Sequence, residues 1–406
     1  MSTMRSPFHL LLLAASFLFG PASAQTPAQL RQICEDTALR TTLLGAVQGS
    51  RRAELEVEIE ERCAQIDLPT RPIHDTADAS REASHTDWVM DARYSRDGRM
   101  IVSASSDGTV GLWNVESGRL VRRIKVAEDY VWNGRSERGR AQYARFIGDG
   151  AWIATAAWFS PVRIFNVASG QAVATLPTAS IRKSPLPAVI AASGAGLVLV
   201  DGFDGAVEAF DAATQVVRYR LPGHGENVRS IAISEAGGII ATAGSRTPAS
   251  ARGRARPVVH IWRLDTGEMA GEFFPEGASS ITTLTFSRDG AQLAVGIGGR
   301  VHIHSVADWS VTRTLLVHPV FTVFDVAFTA DGAGLITCRS HPMLWDIASG
   351  KKVRHFGPFS DLCHSVDVSP DGRFAVTTSM GSDLRVWEIG SGTFHRRMGN
   401  RTPPPR

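Results

Sequence analysis

Beyond residue 84 the chain alternates apolar and polar residues in runs of five to eight, each ending at Asp-Gly, Ser-Gly or a similar pair. A period of two belongs to half-buried strands, and Asp-Gly between such runs marks a tight hairpin. The arrangement returns along the chain. SRDGRMIVSASSDGTVGLWNVESG (95–118) is followed by SRDGAQLAVGIGGRVHIHSVADW from residue 287, TADGAGLITCRSHPMLWDIASG from 329 and SPDGRFAVTTSMGSDLRVWEIGSG from 369. Looser copies begin at 148, 193 and 234, the last resuming at VVHIWRLDTG. Taking the turn residues Asp97, Asp149, Ala195, Ala236, Asp289, Asp331 and Asp371 as landmarks, the steps are 52, 46, 41, 53, 42 and 40 residues. Four strand runs fit each of the seven units, and a period near forty with two long steps is what a propeller of four-stranded blades produces. The pattern predicts an all-β, seven-bladed β-propeller over 85–400.

The copies resemble WD repeats. Gly223-His224 is similar to the family's Gly-His opening and Trp345-Asp346 to its Trp-Asp dipeptide; Trp113-Asn114, Trp262-Arg263 and Trp387-Glu388 stand in the same place elsewhere, with Phe165-Asn166 and Phe210-Asp211 as looser versions. The fifth unit departs most, with His304 where the tryptophan belongs. The resemblance implies a buried hydrogen-bond chain in the first blade from His85 through Ser103 or Ser105 and Asp107 to Trp113. It assigns His224, Trp262, His318, Trp345 and Trp387 to equivalent structural positions. Buried polar groups are paired, and a satisfied network fixes one packing, so the polar stretch 103–114 is read as structure and not as an active site.

Before the propeller the period changes. Phe8 opens a twelve-residue apolar run after Arg5, and Ala22-Ser23-Ala24 fits a small-x-small cleavage site. That run is too short to span a bilayer, which takes roughly 20 apolar residues, so 1–24 is expected to be a signal peptide and the protein exported, periplasmic or secreted, without membrane insertion. Thr26-Pro27-Ala28-Gln29 is a capping box, and apolar residues follow at helical spacing on both sides of Gly49-Ser50, predicting a short N-terminal α-helical hairpin over 25–67. Cys34 and Cys63 lie symmetrically about that break, so an antiparallel hairpin sets them opposite one another as a disulfide. Residues 68–84 read as a linker and 401–406 as a disordered proline-rich tail. Cys338 and Cys363 fall near the same edge of adjacent blades, so a second bond is open.

Composition narrows the partners. A net charge of +3 gives no global field to attract nucleic acid, and 43 % hydrophobic content supports a large core. Function on a propeller has to sit in its loops. Both long steps come from insertions on one face: 127–142 between the first two blades, and 246–256 inside the fourth. The first carries Tyr130, Trp132, Arg135, Arg138 and Arg140; the second carries Arg246, Arg252, Arg254 and Arg256 without an acid. Trp158, Phe159, Arg182 and Lys183 lie in other loops of that face. Aromatics and arginines are favoured in binding hot spots, and arginine clusters pair with carboxylates. The expectation is a non-catalytic protein–protein interaction scaffold, monomeric on its own, docking an acidic peptide or protein there.

The alternative is a propeller enzyme or a small-ligand or metal-binding protein of the periplasm. His302-Ile303-His304 offers two imidazoles but no third ligand, and no nucleophile elbow, phosphate loop or haem motif occurs. No catalytic residue, metal or cofactor is assigned. Carboxylates near the central channel leave no recognisable spacing and stay open. A third class is a sensory or secretion-linked subunit whose N-terminal hairpin recruits a second protein.

Overall fold

The turn between the first two strands closes in the same way in blades 1, 5, 6 and 7. Ser95, Ser287, Thr329 and Ser369 donate their hydroxyls to Asp97, Asp289, Asp331 and Asp371 at 2.5–2.6 Å. Each of those carboxylates also receives the backbone N–H two residues on. Gly98, Gly290, Gly332 and Gly372 take φ near +70°, where a Cβ would be strained, so Asp-Gly is the local reason that the hairpin forms at that point.

The computed structural model describes residues 84–132, 135–176, 189–202, 205–225, 228–246, 256–277, 280–318, 321–357 and 362–398. All lie in the unit Asp75–Arg406. The signal peptide, helical hairpin, linker and tail read from the sequence, with Cys34, Cys63, Arg182, Lys183, Arg252 and Arg254, fall outside the described residues.

These residues form seven four-stranded antiparallel sheets and one two-stranded hairpin, with no helix among the described residues. Each blade uses four consecutive strands. The first has Val89–Tyr94, Met100–Ser105, Thr109–Asn114 and Leu120–Lys125, ordered from the axis outward. The other inner strands are Ala141–Ile147, Ile190–Ala192, Ser230–Ser234, Ile281–Phe286, Asp325–Phe328 and Cys363–Val368. Successive inner strands touch around the axis, and the last returns to the first. Antiparallel order sends the turns between second and third strands, and the connections between blades, to one face.

The core lies between blades, not inside one. At the closing seam Val89, Ala92, Ile101 and Trp113 of blade 1 pack against Val376, Leu384, Val386 and Met398 of blade 7. Burying one large apolar side chain stabilises by about 1.5–3 kcal/mol, so this cluster holds the ring shut without a shared strand. A peripheral device repeats the closure. Arg122, Arg313 and Arg354 in the outer strands of blades 1, 5 and 6 donate to backbone carbonyls of the next blade at Ala168, Ile347 and Ile389. Arg396 of blade 7 does the same to Val115 of blade 1 at 3.0 Å. Cys338 and Cys363, both fully buried, form a disulfide between blades 6 and 7, with Cα atoms 5.0 Å apart.

Candidate functional site

In blade 1, His85 inserts between strands. Its Nε2 lies 2.7 Å from Ser103 Oγ and its Nδ1 3.0 Å from Asp107 Oδ2. Trp113 donates its indole N–H to Ser103 Oγ at 2.8 Å, and Thr109 its hydroxyl to Asp107 at 2.6 Å. Ser105 turns aside, donating to the Asp87 carbonyl and accepting the Asp107 amide. Burial alone would push the Asp107 carboxyl up, but the His85 and Thr109 bonds and the Thr86 amide overcome it and hold it well below the usual carboxylate range. His85, Ser103 and Trp113 are sealed from solvent. Such a chain orders a blade; it has no access to a substrate.

The same indole-to-hydroxyl bond joins Trp262 to Thr242 (2.9 Å), Trp345 to Thr337 (3.0 Å) and Trp387 to Thr377 (2.8 Å), and His224 adds a bond to Thr242 at 2.8 Å. His318 serves its own loop, where Nδ1 accepts the Phe321 amide at 3.0 Å. In blades 3 and 5, where Phe210 and His304 replace the indole, the strand register sets Val200 and Val295 in the hydroxyl slot. Donor and acceptor are lost together. Blade 2 keeps Thr155 in the hydroxyl slot although Phe165 replaces the indole, and its hydroxyl turns to the Arg163 carbonyl. The rings of His302 and His304 are 6.2 Å apart, and burial pushes both below the usual histidine range. Among the described residues no three metal-binding side chains assemble.

The channel does hold carboxylates, and they are engaged. Arg93 of blade 1 pairs with Asp325 of blade 6 at 2.9 Å and with Asp91 at 3.2 Å; Arg145 of blade 2 pairs with Asp91. Ser365 of blade 7 bonds Arg93 and Asp325, each at 3.0 Å. Asp91 and Asp325 also accept the Ala144 and Val366 amides of the next blade. Burial disfavours the Asp91 anion, but Arg145 and Arg93 outweigh it and leave its carboxyl below the usual range. Burial likewise opposes the Arg93 charge, and Asp325, Asp91 and Asp367 hold it above its ordinary value. A carboxylate clamped by guanidinium is poorly suited to general acid–base work, which needs a pKa near the operating pH. Sequence reasoning missed this hub because each residue is a single polar position in an alternating strand.

On the insertion face, 127–142 contains a hairpin, Tyr130–Trp132 with Arg135–Glu137. It is anchored at both ends. The Tyr130 ring packs on Phe159 of blade 2 with centroids 3.9 Å apart, and Arg140 lies 5.9 Å over the Trp158 ring. Asp129 accepts the Gly139 amide at 3.0 Å. Phe159 adopts φ 53°, a left-handed conformation that costs an aromatic residue strain and marks an over-determined loop. Above this base Val131 is 73 % exposed, and Arg135, Arg138 and Arg140 face solvent. In the fourth blade the register places Arg246 opposite Arg256 at the end of the ladder. Arg256 lies 5.2 Å over Phe274. The structure thus joins Tyr130, Arg140, Trp158 and Phe159 into one platform, with Arg246 and Arg256 on the same face two blades away.

Residues 81–114 and 350–388 match the WD domain, G-beta repeat. The chain is 23% identical over 218 residues to telomerase protein component 1 of Mus musculus and 22% identical over 218 residues to that of Rattus norvegicus. Each match covers 52% of this chain and 7% of the relative, so the chain spans a small fraction of those proteins. Two segments, in the first and last blades, thus match the WD repeat, and the seven four-stranded sheets close around one axis as a seven-bladed β-propeller.

Proposed function

We propose that the protein is an exported, non-catalytic scaffold that docks a protein partner, through an acidic segment, on the insertion face. WD-repeat propellers are generally protein-interaction scaffolds. The observation that carries the reading is the 127–142 platform: a strained aromatic and a stacked arginine hold a hairpin from which Val131 and three arginines point to solvent. Aromatic and arginine side chains fixed before binding lose little entropy on docking, as hot spots require. The exposed Arg256 at the end of the fourth blade's ladder adds positive charge to the same face and favours an anionic partner. The guanidinium partners of Asp91 and Asp325 leave those two poorly suited to acid–base chemistry, and the Cys338–Cys363 bond fits an oxidising compartment.

The test compares capture from the native extract by the wild type and by an Arg135→Glu/Arg138→Glu/Arg140→Glu variant of equal stability. Loss of the wild-type partner supports the reading, and equal capture contradicts it.

A further inference from the structure

Away from the hairpin, blades 6 and 7 carry a second arrangement on the same face. The disulfide joins Cys338, which ends the second strand of blade 6, to Cys363, which opens the inner strand of blade 7. The residues that follow are Arg339 and His364. The guanidinium carbon of Arg339 lies 4.7 Å from the Phe321 ring centroid and 4.6 Å from that of Phe324. The Phe324 ring stacks on His364 at 5.3 Å and 22°, and His364 Nδ1 is bonded to the Met90 carbonyl of blade 1 at 2.9 Å. A column of Phe321, Arg339, Phe324 and His364 runs from the exposed Phe321, 53 % accessible, to the channel mouth.

Arg339 differs from the hub arginines in one respect. Arg93 and Arg145 meet carboxylates, whereas the contacts of Arg339 among the described residues are the two rings. Aromatic rings attract a guanidinium without neutralising it. A cation held by rings keeps its N–H donors for another group, and the fork's geometry matches a carboxylate bidentately. The crosslink immediately before Arg339 and His364 fixes the backbone that presents the column, and a fixed receptor loses less entropy on binding.

We propose that Arg339 is an anchor for a peptide carboxylate, taken edge-on by the guanidinium while Phe321 receives an adjacent apolar side chain. This rests on the reading of the insertion face as the docking surface, and not on its hairpin.

The experiment selects ligands from a displayed library of random dodecapeptides on the wild-type full chain and measures the enriched synthetic peptides by fluorescence polarisation. Variants are Arg339→Gln, Arg339→Lys and the triple hairpin glutamate variant. A charge-assisted bidentate contact is worth enough that Arg339→Gln should weaken binding by about tenfold or more, with Arg339→Lys in between. Replacing the peptide's acidic residue by its amide, and separately amidating its C-terminus, shows whether side chain or terminus supplies the carboxylate. Loss on Arg339→Gln with binding retained by the hairpin variant supports the anchor even if the hairpin reading fails. Loss on the hairpin variant alone overturns the anchor and leaves the hairpin reading standing. Failure to enrich peptides sharing a carboxylate, or equal affinity for wild type and Arg339→Gln, also overturns it. Should Arg339→Gln fold poorly, Arg339→Lys alone decides, because full retention by a point charge contradicts bidentate capture.

Discussion

Arg93, in the innermost strand of the first blade, reaches past the seventh blade to bond Asp325 in the sixth at 2.9 Å. Ser365 of the intervening blade bonds both partners. Three blades at the closing region are thus joined by one guanidinium at the axis, while Arg396 repeats the link at the rim. The channel is an axle of paired charge.

Removing one member of a buried pair strands the other. Arg93→Leu leaves Asp325 without its guanidinium and should cost about 3–5 kcal/mol, read from urea unfolding. A loss below about 1 kcal/mol would show that the pair behaves as a surface bridge and that the hub does not hold the ring.

Ser103 is the acceptor of the Trp113 indole and a partner of His85. Ser103→Ala leaves those buried groups unsatisfied, at roughly 1–3 kcal/mol for each. Ser103→Thr should be close to neutral, since Thr242, Thr337 and Thr377 do the same task in other blades. Thermal unfolding of both variants checks this; equal losses would mean that packing, not the hydrogen bond, decides.

The Cys338–Cys363 bond has a sequence separation of 25 residues. By the chain-entropy relation its loss should cost about 3 kcal/mol. Comparing the wild type with Cys338→Ser/Cys363→Ser under oxidising conditions measures the loss, and a reductant should lower the wild type more than the variant.

Asp201 gives a pH signature. Burial pushes its carboxyl up to about 7 from an ordinary 3.8, against the Val189 amide bond that favours the anion. The folded state therefore keeps a proton that the unfolded chain has released, and stability falls as pH rises from about 4 to about 7. Asp201→Asn should stabilise the protein by an amount that grows across that window and levels off above it. A benefit independent of pH would contradict the assignment.

The repeat, the blade count and the indole–hydroxyl pairs were legible because each rests on local spacing: Asp-Gly turns, alternating strands, and a tryptophan ten residues after its hydroxyl in the first copy. The hub was not, since Asp91, Arg93 and Asp325 are brought together only by closure of the ring. The Arg339 column was hidden for a related reason. Phe321 and Arg339 come from two connections and His364 from an inner strand, and the available signal was two cysteines in adjacent repeats, each followed by a basic or imidazole side chain. Of the predicted docking residues, Tyr130, Arg140, Trp158 and Phe159 meet in space, which their separation in sequence did not require.

The central claim is that this propeller uses its insertion face to hold a partner. Hydrogen exchange on the captured complex, set against the free protein, tests it most directly. Protection should gather in 126–140, 158–162 and 339–342, with the turns at 95–99, 288–291 and 370–373 unchanged. Protection confined to those opposite turns, with the hairpin exchanging as in the free protein, would contradict it.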